Sequence, residues 1–247
     1  MILTNSGKII TIGGKVIESG GTVRRNLSYL LELDDTVVNY QVVDSKNIYN
    51  FTYLNGGYGG IGVDGKIGKC IKFYDADTYP FFWVDDIFVQ GLNNTFTFNK
   101  TYSLWIKRYS NESTTRFFKF MGTIGGETTD FNFGVDTNTK KLKVNYISTI
   151  PNASYTFIFN KVIELDTWYH IVIRFNGYSN NLNVFVNGLQ YNYYGNETGD
   201  TELLEESIYY GGGNYYMDQV ASWNRSLPDS EISYIYNNGN GLPYLNW

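Results

Sequence analysis

The chemistry open to this sequence rests on few residues, because the chain of 247 residues has one histidine and one cysteine. His170 could act as a general base if a nucleophile or a carboxyl group lay within hydrogen-bonding reach. Glu164 and Asp166 stand just before it, and a pair of carboxyl groups is what hydrolysis of a glycosidic bond usually needs. Cys70 lies in the apolar run KCIKF, which favours a small buried hydrophobe over a nucleophile. We find no partner in the sequence that would complete a catalytic site, so we name no catalytic residue.

Asp218 also needs a chemical explanation, because it interrupts a strand-like run between Met217 and Gln219. A carboxylate buried in a sheet must be ion-paired, hydrogen-bonded or bound to a metal. Either Asp218 accepts backbone hydrogen bonds and fixes a turn, or it is one ligand of a metal ion. Asp218 is therefore a candidate metal ligand with a structural alternative.

Tyrosines are concentrated in two loop-like stretches, QYNYYGNETGD (190–200) and YYGGGNYY (209–216). Aromatic faces beside Asn, Asp and Gly suit the binding of sugars, because a tyrosine offers a flat apolar ring and a polar tip. The candidates for stacking on a pyranose are Tyr191, Tyr193, Tyr194, Tyr215 and Tyr216. The alternative is that they are ordinary half-buried residues in a chain with 23 tyrosines.

The bulk composition excludes several classes of partner. The formal net charge is −5 and no long basic run occurs, which argues against binding of nucleic acid through its phosphates. No apolar run approaches the ~20 residues of a membrane span. The start, MILTNSGKIITIGGKVIESGG, lacks the charged beginning and unbroken apolar core of a signal peptide. We therefore expect neither nucleic acid nor membrane as a partner.

The elements that position these residues are mainly short strands. From Leu27 onward, segments alternate apolar and polar residues and are bounded by Asn, Gly, Asp, Ser or Thr, which is typical of strands. The clearest are FTFNKTYSLWIKRY (96–109), RFFKFMG (116–122), DFNFGV (130–135), KLKVNYIS (141–148) and SYTFIFN (154–160). Many short strands at this spacing predict a β-sandwich or jelly roll.

The histidine lies in a predicted hairpin. WYHIVIRF (168–175) and LNVFVNG (182–188) are separated by the polar turn NGYSNN, and Asn187-Gly188 supplies a positive-φ turn at the far end. By the two-residue repeat of a strand, Tyr169 and Ile171 share a face with the apolar residues 173 and 175, whereas Trp168 and His170 lie on the other face.

One segment, LPDSEISYIYNNGNG (227–241), predicts a helix. Pro228 suits a first turn, and acidic residues after it favour the positive end of the helix dipole. Ile232 and Ile235 share one face with Tyr236, and Gly239 is the predicted C-terminal cap.

Four motifs together resemble a known family. DTWYHIVIRFNGYSNNLNVFVNG (166–188) resembles the central hairpin of laminin-G-like domains in the concanavalin A-like jelly-roll superfamily, and YYMDQVASWNRSLPDSEISYIYNNGNG (215–241) is similar to its C-terminal signature. Upstream, DGKIGKCIKFYDADTYPFF (64–82) and TFTFNKTYSLWIKR (95–108) are similar to two further strands. The resemblance covers roughly residues 30–241 and implies an all-β, concanavalin A-like jelly-roll sandwich of two antiparallel sheets with one short C-terminal helix. A short N-terminal β arm, predicted from the sequence itself, lies outside the resemblance.

The resemblance also implies roles for the candidate residues. It places His170 in a framework strand, packed near the tryptophan. Glucanases of this superfamily carry Glu-x-Asp-x-x-Glu on one strand face, and here Tyr169 stands where the last Glu would be, after Glu164 and Asp166. Because relatives bind calcium, Ca²⁺ at Asp218 is implied, although the sequence does not identify the other ligands among the six to eight or so that calcium needs.

These observations predict two parts and a function. Residues 1–25 form an arm for attachment, dispensable for folding, and residues 26–247 form one laminin-G-like domain. The alternative for residues 1–25 is an extra edge strand of that domain. We expect a non-enzymatic binding or structural module on the surface of a phage or other virus, as a head fibre, decoration or tail-associated protein. The arm would contact capsid or tail proteins, the sandwich would contact host-surface glycans, and a homo-oligomer is compatible with this role.

Two alternatives come from other classes of protein. One is a lectin-like carbohydrate-binding module of a bacterial surface protein, located outside the cell. The other is a glycoside hydrolase or polysaccharide lyase whose site the sequence does not reveal. Two close carboxylates in a long groove would favour the enzyme.

Overall fold

The computed structural model describes residues 9–12, 15–18, 23–33, 41–43, 50–53, 59–74, 82–84, 98–111, 115–124, 127–148, 153–177, 182–196, 207–243 and 246–247. In chain order, the strands are β1 (Ile9–Ile12), β2 (Lys15–Glu18), β3 (Leu27–Leu31), β4 (Gln41–Val43), β5 (Asn50–Tyr53), β6 (Gly59–Asp64), β7 (Lys69–Phe73), β8 (Phe82–Val84), β9 (Phe98–Arg108), β10 (Thr115–Ile124), β11 (Glu127–Val135), β12 (Lys141–Ser148), β13 (Ala153–Val162), β14 (Trp168–Gly177), β15 (Leu182–Val186), β16 (Leu189–Tyr191), β17 (Tyr193–Asn196), β18 (Ser207–Tyr210) and β19 (Tyr215–Trp223). A helix, α1 (Asp229–Tyr236), and a 3₁₀ turn, Asn237–Gly239, follow them.

The strands form two large antiparallel sheets. One has nine strands in the order β17-β13-β12-β11-β10-β18-β8-β5-β4. The other has eight: seven run in the order β16-β15-β14-β9-β19-β7-β6, and β3 pairs with the far end of β19. The predicted two-sheet sandwich is therefore confirmed, and so are the strands predicted between residues 96 and 160.

An aromatic core joins the two sheets. Tyr102 of the eight-stranded sheet lies 5.2 Å from Phe118 of the nine-stranded sheet, measured between ring centroids. Phe120 and Phe131 stack at 4.4 Å, and the Phe175 ring meets Phe131 edge-on. Each ring comes from an alternating strand position, so one side of each of these strands faces this core. We call the opposite side of each sheet its outer face.

The predicted hairpin forms as β14 and β15. Their pairing runs from Ile171 opposite Val186 to Phe175 opposite Leu182. At its far end Asn187 and Gly188 both have positive φ, 54° and 76°, which is the geometry of a tight turn that matches the twist of the strands. The Asn187 side chain also accepts a hydrogen bond from the backbone N–H of His170 at 3.0 Å.

The predicted helix forms and covers part of the outer face of the eight-stranded sheet. Ile232 and Ile235 are buried in a second apolar cluster together with Trp223 of β19. The C-terminal cap differs from the predicted Gly239. Asn237 takes the left-handed conformation with φ 49°, because an asparagine can adopt it at small cost, and the chain continues into the 3₁₀ turn. In the described part of the chain, no helix is long and apolar enough to cross a bilayer.

The N-terminal segment divides differently from the expected boundary at residue 25. β1 and β2 pair with each other as a two-stranded sheet. Val23, in contrast, is buried, and its carbonyl accepts a hydrogen bond from Trp223 Nε1 at 2.6 Å. The Arg25 carbonyl likewise accepts one from Arg225 Nε at 2.8 Å. Residues 23–25 therefore pack with the sandwich.

Candidate functional site

His170 lies on the outer face of the eight-stranded sheet, where neighbouring side chains enclose it completely. Its Nε2 is 2.8 Å from Ser103 Oγ, and its ring lies 5.0 Å from Trp105 and 6.0 Å from Tyr236 of α1. Burial lowers the pKa of the imidazole to about 3, so the ring is neutral at physiological pH. This is the environment of a framework residue that helps α1 to pack on the sheet.

The other residues that the sequence suggested for catalysis do not share the environment of His170. Glu164 and Asp166 are exposed in the connection from β13 to β14, and Tyr169, at the third position of the glucanase pattern, is buried in the core. Asp166 holds this connection to β9, because its backbone N–H donates to the Arg108 carbonyl at 2.7 Å. Cys70 has no exposed surface. The structure therefore brings none of these groups to His170.

Asp218 is fully buried and fixes the turn between β6 and β7. Its Oδ2 accepts hydrogen bonds from the backbone N–H groups of Lys66 and Ile67 at 2.7 and 2.8 Å. Gly65 is required there, because a Cβ atom would lie 2.6 Å from the same oxygen. This geometry fits the structural alternative for Asp218. Among the described residues, no group of three or more His, Cys, Asp or Glu side chains could hold a metal ion, and calcium at Asp218 stays a prediction.

The five candidate tyrosines do not form one surface. Tyr215 belongs to the core: it has no exposed surface, its ring lies 4.7 Å from Phe73, and burial raises the pKa of its hydroxyl. Tyr191 and Tyr193, on edge strands, are half-buried and pack against the same core. Tyr194 lies in β17, and its side chain is outside the described residues.

Tyr216 differs from Tyr215 because the next residue of a strand points to the opposite face. It lies half-buried on the outer face, in a row that crosses four neighbouring strands. Tyr216 pairs with Lys72 of β7 on one side and with Lys107 of β9 on the other, and Lys107 pairs with Trp168 of β14. We call Lys72, Tyr216, Lys107 and Trp168 the cationic aromatic row.

Contacts within the row are between ammonium groups and ring faces. Lys107 Nζ lies 4.5 Å from the centroid of Tyr216 and 5.2 Å from that of Trp168. Lys72 Nζ lies 5.3 Å from Tyr216 and 4.5 Å from Tyr109, whose ring meets Tyr216 edge-on. The negative ring faces attract the ammonium groups, which therefore stay close to the rings.

The row is accessible and carries positive charge. All four of its side chains are partly exposed, and nearby Tyr74 is 41 % exposed. In the part of the chain that the structure describes, no ion pair joins Lys72 or Lys107 to a carboxylate. The row therefore offers flat apolar rings beside two cations.

Sequence analysis found one member of this row and missed three. Alternation along β14 already placed Trp168 on the face away from the core, and the same rule applied to Ile71-Lys72-Phe73 and Ile106-Lys107-Arg108 would have placed both lysines there. What the sequence does not contain is the pairing register, and only the register places these residues side by side.

Solved structures show where this fold recurs. Trypanosoma rangeli sialidase in complex with sialic acid matches with a TM-score of 0.63 and 14 % identity, over 97 % of this chain and 37 % of that one. The receptor binding domain of botulinum neurotoxin D matches with a TM-score of 0.59 and 12 % identity, over 88 % of this chain and 54 % of that one. The chain thus spans about a third to a half of the solved chains that it matches, and at these identities the likeness establishes the fold.

Sequence comparisons define the family. No curated protein sequence matches the chain. A laminin-G-type family profile, described as the Concanavalin A-like lectin/glucanases superfamily, matches residues 87–233, which is more than half of the chain. The superfamily includes both enzymes and binding domains. The profile match, the antiparallel sandwich and the solved structures agree, and the chain belongs to the concanavalin A-like lectin/glucanase superfamily.

Proposed function

We propose that this protein is a non-enzymatic carbohydrate-binding module that recognises acidic glycans through the cationic aromatic row. The observation that carries the proposal is the row itself, in which lysine and aromatic side chains alternate across four strands of a rigid sheet. Sites on strands hold their side chains in fixed positions, so little conformational entropy is lost on binding.

The chemistry of the row favours an acidic sugar over a neutral one. The half-exposed Trp168 and Tyr216 offer ring faces for the apolar side of a pyranose. Lys72 and Lys107 each lie beside such a ring and can donate charge-assisted hydrogen bonds to a carboxylate. A neutral sugar would gain only the first of these contacts.

The spacing of the two lysines favours an oligosaccharide. They lie on β7 and β9, which are separated by β19, so their backbones are roughly 9–10 Å apart, twice the usual spacing between strands. A ligand that contacts both ammonium groups must extend across the intervening Tyr216 ring. The row therefore fits a short chain of sugars better than a single monosaccharide.

Two further observations support the proposal. The solved relatives include a sialidase that binds sialic acid, a carboxylate-bearing sugar, and the receptor binding domain of a neurotoxin. The exposed positions of Glu164 and Asp166, and the buried Tyr169 in place of a further carboxylate, favour a binding role over hydrolysis by the glucanase mechanism, which uses a pair of carboxyl groups.

Calorimetric titration with 3′-sialyllactose and with lactose tests this function. We expect the wild type to bind sialyllactose more tightly than lactose, with an advantage that falls as salt is added. Trp168→Ala should weaken binding of both sugars by about tenfold, because the ring contact serves both. Lys72→Gln combined with Lys107→Gln should remove only the preference for sialyllactose.

Matched controls are Leu189→Ala, which removes an apolar side chain that is 66 % exposed on β16, and Arg25→Gln, which removes an exposed positive charge elsewhere. Neither should change either affinity. The proposed function is contradicted if Trp168→Ala binds each sugar as tightly as the wild type does, or if neither protein binds either sugar.

A further inference from the structure

The nine-stranded sheet has a gap in its outer face at Gly134. This glycine is the penultimate residue of β11, opposite Arg116 of β10 on one side and Lys143 of β12 on the other. Because glycine has no side chain, the space over Gly134 lies between the cationic side chains of Arg116 and Lys143. An open depression of about 160 Å³ lies at this position.

A bulge in β10 lets Arg116 reach this face. The pairing of β10 with β11 shifts between Arg116 and Phe118, and both Phe117 and Phe118 are buried in the core. The extra residue turns Arg116 outward on the same side as Lys119, which pairs opposite Asn132. Bulges re-aim side chains in this manner and are frequent beside binding sites.

The walls of the depression present hydrogen-bond donors. Asn145 lines it, and its Oδ1 already accepts a hydrogen bond from Thr156 Oγ1 at 3.0 Å, so its amide N–H groups remain as donors. Arg116 Nε is buried, and no described residue hydrogen-bonds to it. The guanidinium packs over the backbone of Gly212, about 3.5 Å from where a Cβ there would lie.

The charges in the depression leave a positive excess. Lys143 Nζ lies 3.6 Å from Asp136 Oδ2, a long ion pair, and the other oxygen of Asp136 is held by Thr139 in the turn before β12. Among the described residues, no carboxylate pairs with Arg116. Arg116 and Lys143 against Asp136 therefore give one net positive charge.

We infer that the depression over Gly134 binds one oxyanion of the carboxylate or sulfate type, held between Arg116 and Lys143 with Asn145 as a neutral donor. An arginine offers two parallel N–H groups that match two oxygens of such a group. Lys143 supplies a point charge on the opposite side. The site lies on the other sheet from the cationic aromatic row, and it does not depend on the proposed function.

Two-dimensional ¹H–¹⁵N NMR tests the inference, because the Arg116 Nε–H and the Asn145 side-chain amide give their own signals. The probes are glucuronate, inorganic sulfate and methyl glucoside, titrated at matched ionic strength. We expect both signals to shift saturably with an anionic probe and to remain unchanged with methyl glucoside. Tighter binding of glucuronate or of sulfate identifies which source of oxyanion the site prefers.

Substitutions test whether the shifts of the NMR signals come from binding in the depression over Gly134. Arg116→Gln should weaken binding by about tenfold or more, since a hydrogen bond to a charged group is lost. Gly134→Val should abolish it, because the side chain fills the gap, and valine suits a strand position that lacks positive φ. Arg25→Gln and Leu189→Ala should bind as the wild type does. Shifts that grow without saturation, that persist in Gly134→Val, or that appear equally with methyl glucoside would overturn the inference.

Discussion

The single histidine, His170, is a structural residue whose buried imidazole is neutral. His170 is held by Ser103 on its own sheet and by the rings of Trp105 and Tyr236, which also stack on each other. Protonation would place a cation in this enclosed position, and burial therefore lowers the pKa to about 3. The residue acts as a neutral part of the packing between α1 and the sheet.

This burial predicts a pH dependence of stability. The folded pKa of His170, about 3, lies below the ordinary 6.5, so between these values the unfolded chain binds one more proton. The free energy of unfolding should therefore fall as the pH is lowered from about 6.5 toward 3, by an amount of the order of 4 kcal/mol. Urea unfolding at pH 7 and pH 4 measures most of this loss, about 3 kcal/mol.

His170→Gln is the matched variant for that measurement, because an amide can keep the hydrogen bond to Ser103 and does not titrate. It should be less stable than the wild type at pH 7 and should lose less stability on acidification. An equal loss in both proteins would assign the pH dependence to other groups.

The adjacent residues Tyr215 and Tyr216 lie in different environments because they point to opposite faces of the sheet. Tyr215 and Tyr216 are adjacent and chemically identical, yet one is sealed in the core and the other lies half-exposed between two lysines. Sequence alternation predicts that they point to opposite faces. It does not say which face is buried, because that depends on how the strand is registered against β7 and β9.

Among the elements, the β14–β15 hairpin and α1 follow directly from local sequence. The hairpin has apolar residues at every second position of both strands and an Asn-Gly turn, and the helix has acidic residues at its start and a paired apolar face. Helix α1 then completes the outer face, because its Ile232 and Ile235 bury Trp223 and its Tyr236 stacks beside Trp105. An eight-residue helix is too short to be stable alone, so its packing must hold it.

Truncation of one apolar contact tests this dependence. Ile235→Ala should lower the free energy of unfolding by about 2–4 kcal/mol, because it leaves a cavity between α1 and the sheet. Ser233→Ala, at an exposed position of the same helix, should change it by less than about 0.5 kcal/mol. Urea unfolding followed by tryptophan fluorescence measures both. Similar values for the two variants would show that α1 contributes little to the stability of the sandwich.

At the scale of the whole molecule, the N-terminal segment contains the β1–β2 hairpin and residues 23–25, which pack with the sandwich. β1 and β2 pair with each other, whereas Val23 is buried against Trp223. We therefore expect a protein lacking residues 1–22 to melt within a few degrees of the full chain. Removal of residues 1–25 should cost roughly 2–3 kcal/mol more, because it also removes a buried valine and the acceptor for Trp223. Calorimetric melting of the two truncated proteins checks this difference.

The same pair of proteins addresses attachment. The sequence predicts that the N-terminal arm joins this protein to capsid or tail proteins at a virion surface, and this stays a prediction. If it holds, the protein lacking residues 1–22 should keep its affinity for glycans and lose its incorporation into particles. Retained incorporation would remove the attachment role from the arm.

The sequence by itself determined the fold class, because alternation and turn residues are local patterns that survive in any register. It also placed His170 in a strand and foresaw that Asp218 could fix a turn. Only the tertiary structure decided the surfaces. Lys72, Lys107, Trp168 and Tyr216 are far apart in the chain, as are Arg116 and Lys143 on either side of Gly134 in their own sheet. They become neighbours through strand pairing, and a shift of one residue in that pairing would turn each side chain to the opposite face.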